Sequence, residues 1–209
     1  MTHLDIQDPK SIEKRSFEII GEILGDRRFP PRQEGIVKRV IHTSADFDYA
    51  DNLVFSETAV ESGMEALKSG CTVVTDTNMA LSGINVRNLQ KLGAEKVCYI
   101  ADPAIAAAAG ENGTTRAVQS MLHASTVEKA QIFAIGNAPT ALIALYDLIK
   151  AGKISPKLVI GVPVGFVNVV ESKEMFMELD TPYIIAKGRK GGSNVAAAIV
   201  NALMLEALK

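Results

Sequence analysis

From residue 71 onward, short apolar runs alternate with stretches of helical spacing, and few folds tolerate that rhythm. CTVVTD (71–76) is followed by MALSGINVRNLQKLG, and KVCYIA (96–101) by an Ala-rich stretch and a helix around 114–124. QIFAIG (131–136) leads into APTALIALYDLIKAG, and KLVIGV (157–162) into FVNVVESKEMFMEL. TPYIIAKG (181–188) leads into GGSNVAAAIVNALMLEAL. Strand, loop and helix in repetition predict the α/β class: a predominantly parallel sheet of about five strands with helices on both faces. Upstream, Ile12, Ser16, Ile19, Ile20 and Ile23 recur at helical spacing between Pro9 and Gly25. FPPRQ (29–33) is a breaker, and a second helix over 32–44 carries Ile36, Val37, Val40 and Ile41 on one side. Residues 45–55 are acidic and read as a loop, and 57–69 read as a helix stopping at Gly70. No repeat or charged linker divides the chain, so residues 1–209 are expected to form a single domain with N-terminal helices added.

Composition narrows the function. Lys+Arg is 22 against 24 Asp+Glu, a formal net charge of −2, which argues against a nucleic-acid binder. No apolar run approaches the roughly 18 residues of a membrane helix, and the polar start MTHLDIQDPKSIEK does not read as a secretory signal. The two cysteines, Cys71 and Cys98, lie in strand-like runs and read as free buried thiols of a cytoplasmic protein.

In an open parallel sheet, ligands bind beyond the carboxyl ends of the strands. There the sequence places Asp76-Thr77-Asn78, Asp102-Pro103, Gly136-Asn137-Ala138, Gly161-Val162-Pro163-Val164-Gly165 and Gly188 to Asn194. Glycine after a strand is first of all turn chemistry. Such turns also expose backbone N–H groups at positive helix ends, which suit anions. Arg189, Lys190 and Arg116 add positive charge, so the crevice is expected to be cationic. Neither GxGxxG nor GxxxxGK[ST] is present, which disfavours dinucleotides and nucleoside triphosphates and leaves an anionic ligand such as a polycarboxylate. Of three histidines, His3 lies in a terminus expected to fray and His123 in a polar-flanked helix. His42 closes a helix beside Thr43 and Ser44, where either the helix dipole or catalysis accounts for it. No histidine pair has metal-ligand spacing, and no GxSxG or exposed cysteine offers a nucleophile. Asp102 and Asp147 suit acid–base work and solvated surfaces equally.

Six segments together resemble one family. They are EKRSFEII (13–20), RVIHTSADFDYA (39–50), TDTNMALSGIN (75–85), AIGNAPTAL (134–142), GVPVGFVNVVESKE (161–174) and KGRKGGSNVAAA (187–198). In order and spacing they are similar to precorrin-8X methylmutase, the isomerase of cobalamin biosynthesis. The resemblance implies an α/β homodimer with a tetrapyrrole bound near the subunit interface. It implies a reaction without a cofactor or protein-held metal. A methyl group migrates from C11 to C12 of a contracted tetrapyrrole, giving hydrogenobyrinic or cobyrinic acid. The family's histidine falls on His42, which would donate a proton to a ring nitrogen. Arg15 and Arg116 match basic positions and would pair with substrate carboxylates. Thr43, Ser44, Asn78, Gly136, Asn137, Arg189, Gly191, Gly192 and Ser193 complete the implied substrate site, the turns contributing backbone donors. HTSADFDYADN and DTNMALSGIN look more like the branch that handles cobalt-bound substrate. A corrinoid carrier without catalysis would keep the same crevice, and turnover by a His42→Ala variant separates the two.

Overall fold

The computed structural model describes residues 8–209, so His3 lies outside the described residues. The elements are α1 (Pro9–Leu24), α2 (Gln33–Ser44), α3 (Tyr49–Asn52), β1 (Leu53–Phe55), α4 (Ala59–Lys68), β2 (Thr72–Thr75), α5 (Asn78–Gly83) and α6 (Val86–Lys91). Then come β3 (Glu95–Val97), α7 (Pro103–Glu111), α8 (Arg116–Ala124), β4 (Ala130–Ile135), α9 (Pro139–Lys150), β5 (Leu158–Gly161), α10 (Val169–Phe176), β6 (Tyr183–Ala186) and α11 (Ser193–Ala207). Six strands form one sheet in the order β1-β6-β5-β4-β2-β3, parallel except for β1, which pairs antiparallel with β6.

The apolar runs read as strands because both faces of the sheet are covered. Ile132, Ala134, Leu158, Ile160 and Ile184 point into one core, while Phe133, Ile135, Val159 and Ile185 point into the other. The first core packs under α2, α4 and α11, and the second under α8, α9 and α10. Helix α11 is apolar on nearly every side and is buried against α2, α4 and α5. Val195, Ile199 and Leu203 therefore belong to the core, and of the C-terminal stripe only Leu208 is exposed.

Four sequence expectations need correction. The sheet has a sixth strand, β1, inside the stretch read as a loop; three residues paired to a distant strand carry no periodic signal. The stretch 79–93 is two helices, because Asn85 accepts the Asn88 N–H (3.1 Å) and starts α6 afresh. Strand β3 ends at Val97, which leaves Cys98 beyond it and half-buried. Helix α1 buries Ile20 and Leu24 but leaves Ile12, Ile19 and Ile23 exposed at 47%, 41% and 59%. It packs chiefly on α2, so part of its apolar face is uncovered.

Burial pushes the Cys71 thiol up to about 12 and raises that of Cys98. Since the thiolate is the reactive form, neither should react rapidly with Ellman's reagent at pH 8 until the protein is denatured. A fast-reacting thiol in the native protein would contradict this packing.

Candidate active site

The chain runs outward from β2 to β3 and returns with β4 on the other side of β2. The sheet therefore has its switch point between β2 and β4, where open α/β sheets form a crevice. Asp76, one residue past β2, is only 1% exposed there. Its carboxylate accepts N–H bonds from Gly136 (2.9 Å), Asn137 (2.8 Å) and Ala138 (2.7 Å). Ala138, the N-cap of α9, has no side-chain acceptor of its own, so Asp76 caps that helix from the neighbouring strand. Burial pushes the Asp76 carboxyl above the usual range, and the three N–H groups oppose that shift. The backbone donors that sequence reading offered to a ligand at Gly136 and Asn137 are thus already taken.

Gly136 is a close-approach glycine. A Cβ there would lie 2.7 Å from Ser193 Cα and 2.9 Å from the Gly192 carbonyl oxygen. The start of α11 rests on this turn, and Ser193 Oγ lies 2.7 Å from Thr77 Oγ1. Asn78, Gly136, Asn137, Gly192 and Ser193 are so brought together, with Asn78 and Asn137 exposed and the other three buried.

A strap over 187–192 continues the edge toward β6. Gly192 N–H donates to the Val162 carbonyl (2.9 Å). Lys190 Nζ lies 2.6 Å from Asp46 Oδ2 and 2.6 Å from Asp48 Oδ2, which fastens the strap to the segment after α2. The Lys190 charge is therefore offset, and the cationic character of the edge falls to Arg189 and Arg116, which have no ion pair among the described residues. Thr43, Ser44, Asp46, Lys190, Gly191 and Asn194 line a shallow cleft of about 330 Å³.

His42 is exposed in the last turn of α2, on the α1 side of this cleft. Its ring stacks on Phe17 of α1, centroids 5.2 Å apart and 14° from parallel. Arg39, one helical turn earlier, lies over Phe17 (4.9 Å) and pairs with Glu13 (3.1 Å). Arg15 does not join the cluster: Glu22 (2.9 Å) and Glu18 (3.3 Å) of its own helix hold it. Arg116 opens α8 on the opposite face of the sheet, brought to the carboxyl edge by Thr115 Oγ1 against Thr140 Oγ1 (3.2 Å). A more apolar groove of about 380 Å³, between α8 and α9, is lined by Val118, Leu122 and Ile143 and lies across the sheet from His42.

Sequence reading placed Asp76 at this edge without a role for it, and singled out neither Lys173 nor Arg39. Lys173 was detectable, since it shares helical spacing with Val169 and Phe176 yet is charged. The Asp76 role depends on a strand neighbour 60 residues away and left no local signal.

The comparisons with known proteins bear on this edge as a whole. The family model for precorrin-8X methylmutase matches residues 11–206, from α1 to α11. This chain belongs to the precorrin-8X methylmutase family. It is 49% identical to a cobalt-precorrin-8 methylmutase of Salmonella typhimurium, over 95% of this chain and 96% of that one. It is 46% identical to a cobalt-precorrin-8 methylmutase of Priestia megaterium, over 94% and 88% of the two chains. The crystal structure of a precorrin-8X methylmutase from Thermus thermophilus superposes with a TM-score of 0.88 at 40% identity, covering 95% of this chain and 96% of that one.

Removing the carboxylate at Asp76 leaves three donors without a partner. Asp76→Ala should lower stability by about 3 kcal/mol, and Gly136→Ala by about 2 kcal/mol through overpacking against backbone. Unchanged urea midpoints in both would contradict the description of this turn.

Proposed function

We propose that this protein is an intramolecular methyl-shifting isomerase of cobalamin biosynthesis, moving a methyl from C11 to C12 of precorrin-8X or its cobalt complex. The observation that carries the reading is the family match, which spans the complete carboxyl edge together with His42. The edge suits a flat polycarboxylate. From β6 to β2 it covers three strand spacings, about 14 Å, with Arg189 toward one end and Asn78 toward the other. The cobalt-bound form is favoured, because the relatives at 49% and 46% identity carry that form in their names.

In this reading, Arg189 and Arg116 pair with peripheral carboxylates, and Asn78 and Asn137 meet polar groups of the ring system. Thr43 and Ser44 line the cleft next to the imidazole. His42 donates a proton to a ring nitrogen near the migrating methyl, which draws electron density from the conjugated system and eases the shift. Holding the macrocycle on one face keeps the methyl over its target carbon and opposes the return shift. The protein works in the cytoplasm as a homodimer. The uncovered row Ile12, Ile19 and Ile23 on α1 supports a second copy as its cover.

Anaerobic incubation with precorrin-8X and with its cobalt complex tests the function by absorption spectroscopy. Conversion to a corrin chromophore is expected, faster for the cobalt form; an unchanged spectrum with both overturns the reading. His42→Ala should bind the corrin product within about threefold of wild type and lose about 10²–10³ in turnover, and normal turnover would remove the imidazole from the mechanism. Light scattering should give twice the chain mass of 22.3 kDa, and Ile19→Glu should shift it to the monomer. A monomeric wild type refutes the dimer.

A further inference from the structure

Lys173 is a fully buried lysine that the mechanism above does not use. It occupies the face of α10 that buries Val169 and Phe176, and it is 0% exposed. Its Nζ donates to the carbonyls of Gly188 (2.8 Å) and Lys190 (2.9 Å). The carbonyl between them, that of Arg189, accepts the Gly165 N–H (3.2 Å). Three successive strap carbonyls are thus held: the outer two by one ammonium, the middle one by the β5–α10 loop. The Arg189 side chain is left exposed, with no ion pair among the described residues.

A buried ammonium is an expensive way to fill this position. Desolvation pulls it down to about 8, whereas a leucine or methionine would fill the space without that cost. What an apolar side chain cannot supply is a donor to two carbonyls of one short segment. Resting on the isomerase reading, we propose that Lys173 is a positioning residue that sets the strap so that Arg189 meets a carboxylate of the substrate. The strap is fastened twice, by Lys173 from beneath and by Asp46 and Asp48 on the Lys190 side chain. The second attachment belongs to the segment that follows His42, so one strap registers the carboxylate anchor against the proton donor.

The test compares wild type, Lys173→Met, Arg189→Met and the double variant, using the substrate that wild type converts and titration with the corrin product. Lys173→Met keeps the bulk and removes the donors. It should raise KM and product Kd about tenfold, near 1.4 kcal/mol, with kcat within about threefold. In the Arg189→Met background it should add little, because it acts through Arg189. A Lys173→Met enzyme with wild-type KM, or an additive double variant, overturns the proposal. If Lys173→Met does not fold, Lys173→Ala with added ethylammonium takes its place: restored affinity with ethylammonium but not with ethanol supports the proposal, and no rescue overturns it. If wild type itself fails to turn over, the isomerase reading is rejected, and product Kd across the same four proteins still decides the role of Lys173.

Discussion

The carboxylate of Asp76 is the interaction on which the rest of this edge depends. A parallel sheet delivers every strand into a turn and every turn into a helix, so unpaired backbone donors collect on one side. At the switch point between β2 and β4 three of these donors converge on one buried carboxylate. One carboxylate taking three of them costs desolvation once and gains three charge-assisted bonds, each worth about 1.5–3 kcal/mol. With the turn held, Gly136 lets the start of α11 settle directly on it, and Ser193 then reaches Thr77. Three segments far apart in sequence, 76–77, 136–138 and 192–193, are locked into one surface around a single buried charge.

Lys173 is the counterpart of opposite sign. Where Asp76 gathers N–H groups, Lys173 gathers carbonyls. Together they consume the backbone polarity of two turns, and this decides what kind of ligand the edge can read. A dinucleotide site keeps its backbone donors free for phosphate. Here the donors at residues 136–138 are spent, and the polar groups left exposed along the edge are the side chains of Asn78, Asn137, Arg116 and Arg189, the ones to which recognition is assigned in the function proposed above. Carboxylates spread around a rigid ring are met better by separated side chains than by one concentrated nest of N–H groups.

This division also explains what could be read from the chain. The sheet was legible because strands buried on both faces show as unbroken apolar runs, and the helices between them are forced by parallel connection. The positions of the turns followed from that, and so did the edge on which Asn78, Asn137 and Arg189 lie, whereas His42 was read only as closing a helix outside the strand–helix alternation. Strand β1 was not legible, since three residues hold their place by pairing with β6 rather than by their own pattern. Nor was the use of the turn donors, because sequence shows that donors exist but not which distant carboxylate takes them. The local partners of Arg15 are a related case: Glu18 and Glu22 lie one and two turns along its own helix, and such pairing competes with any ligand.

The exposure of His42 carries the last step. A general acid, the role proposed above for His42, works best where water is excluded, yet the imidazole is open to solvent on one side and stacked on Phe17 on the other. Phe17 belongs to α1, whose uncovered row of Ile12, Ile19 and Ile23 lies roughly 100° around the helix from the side that meets α2. The two faces are adjacent, not opposite. In the dimer proposed above, a second copy seated on that row would close over the helix that backs His42, while the macrocycle closes over the carboxyl edge. The stack on Phe17 then has a physical role: it fixes the ring plane between two covers that arrive from different directions, so that dehydration of the imidazole does not depend on substrate alone.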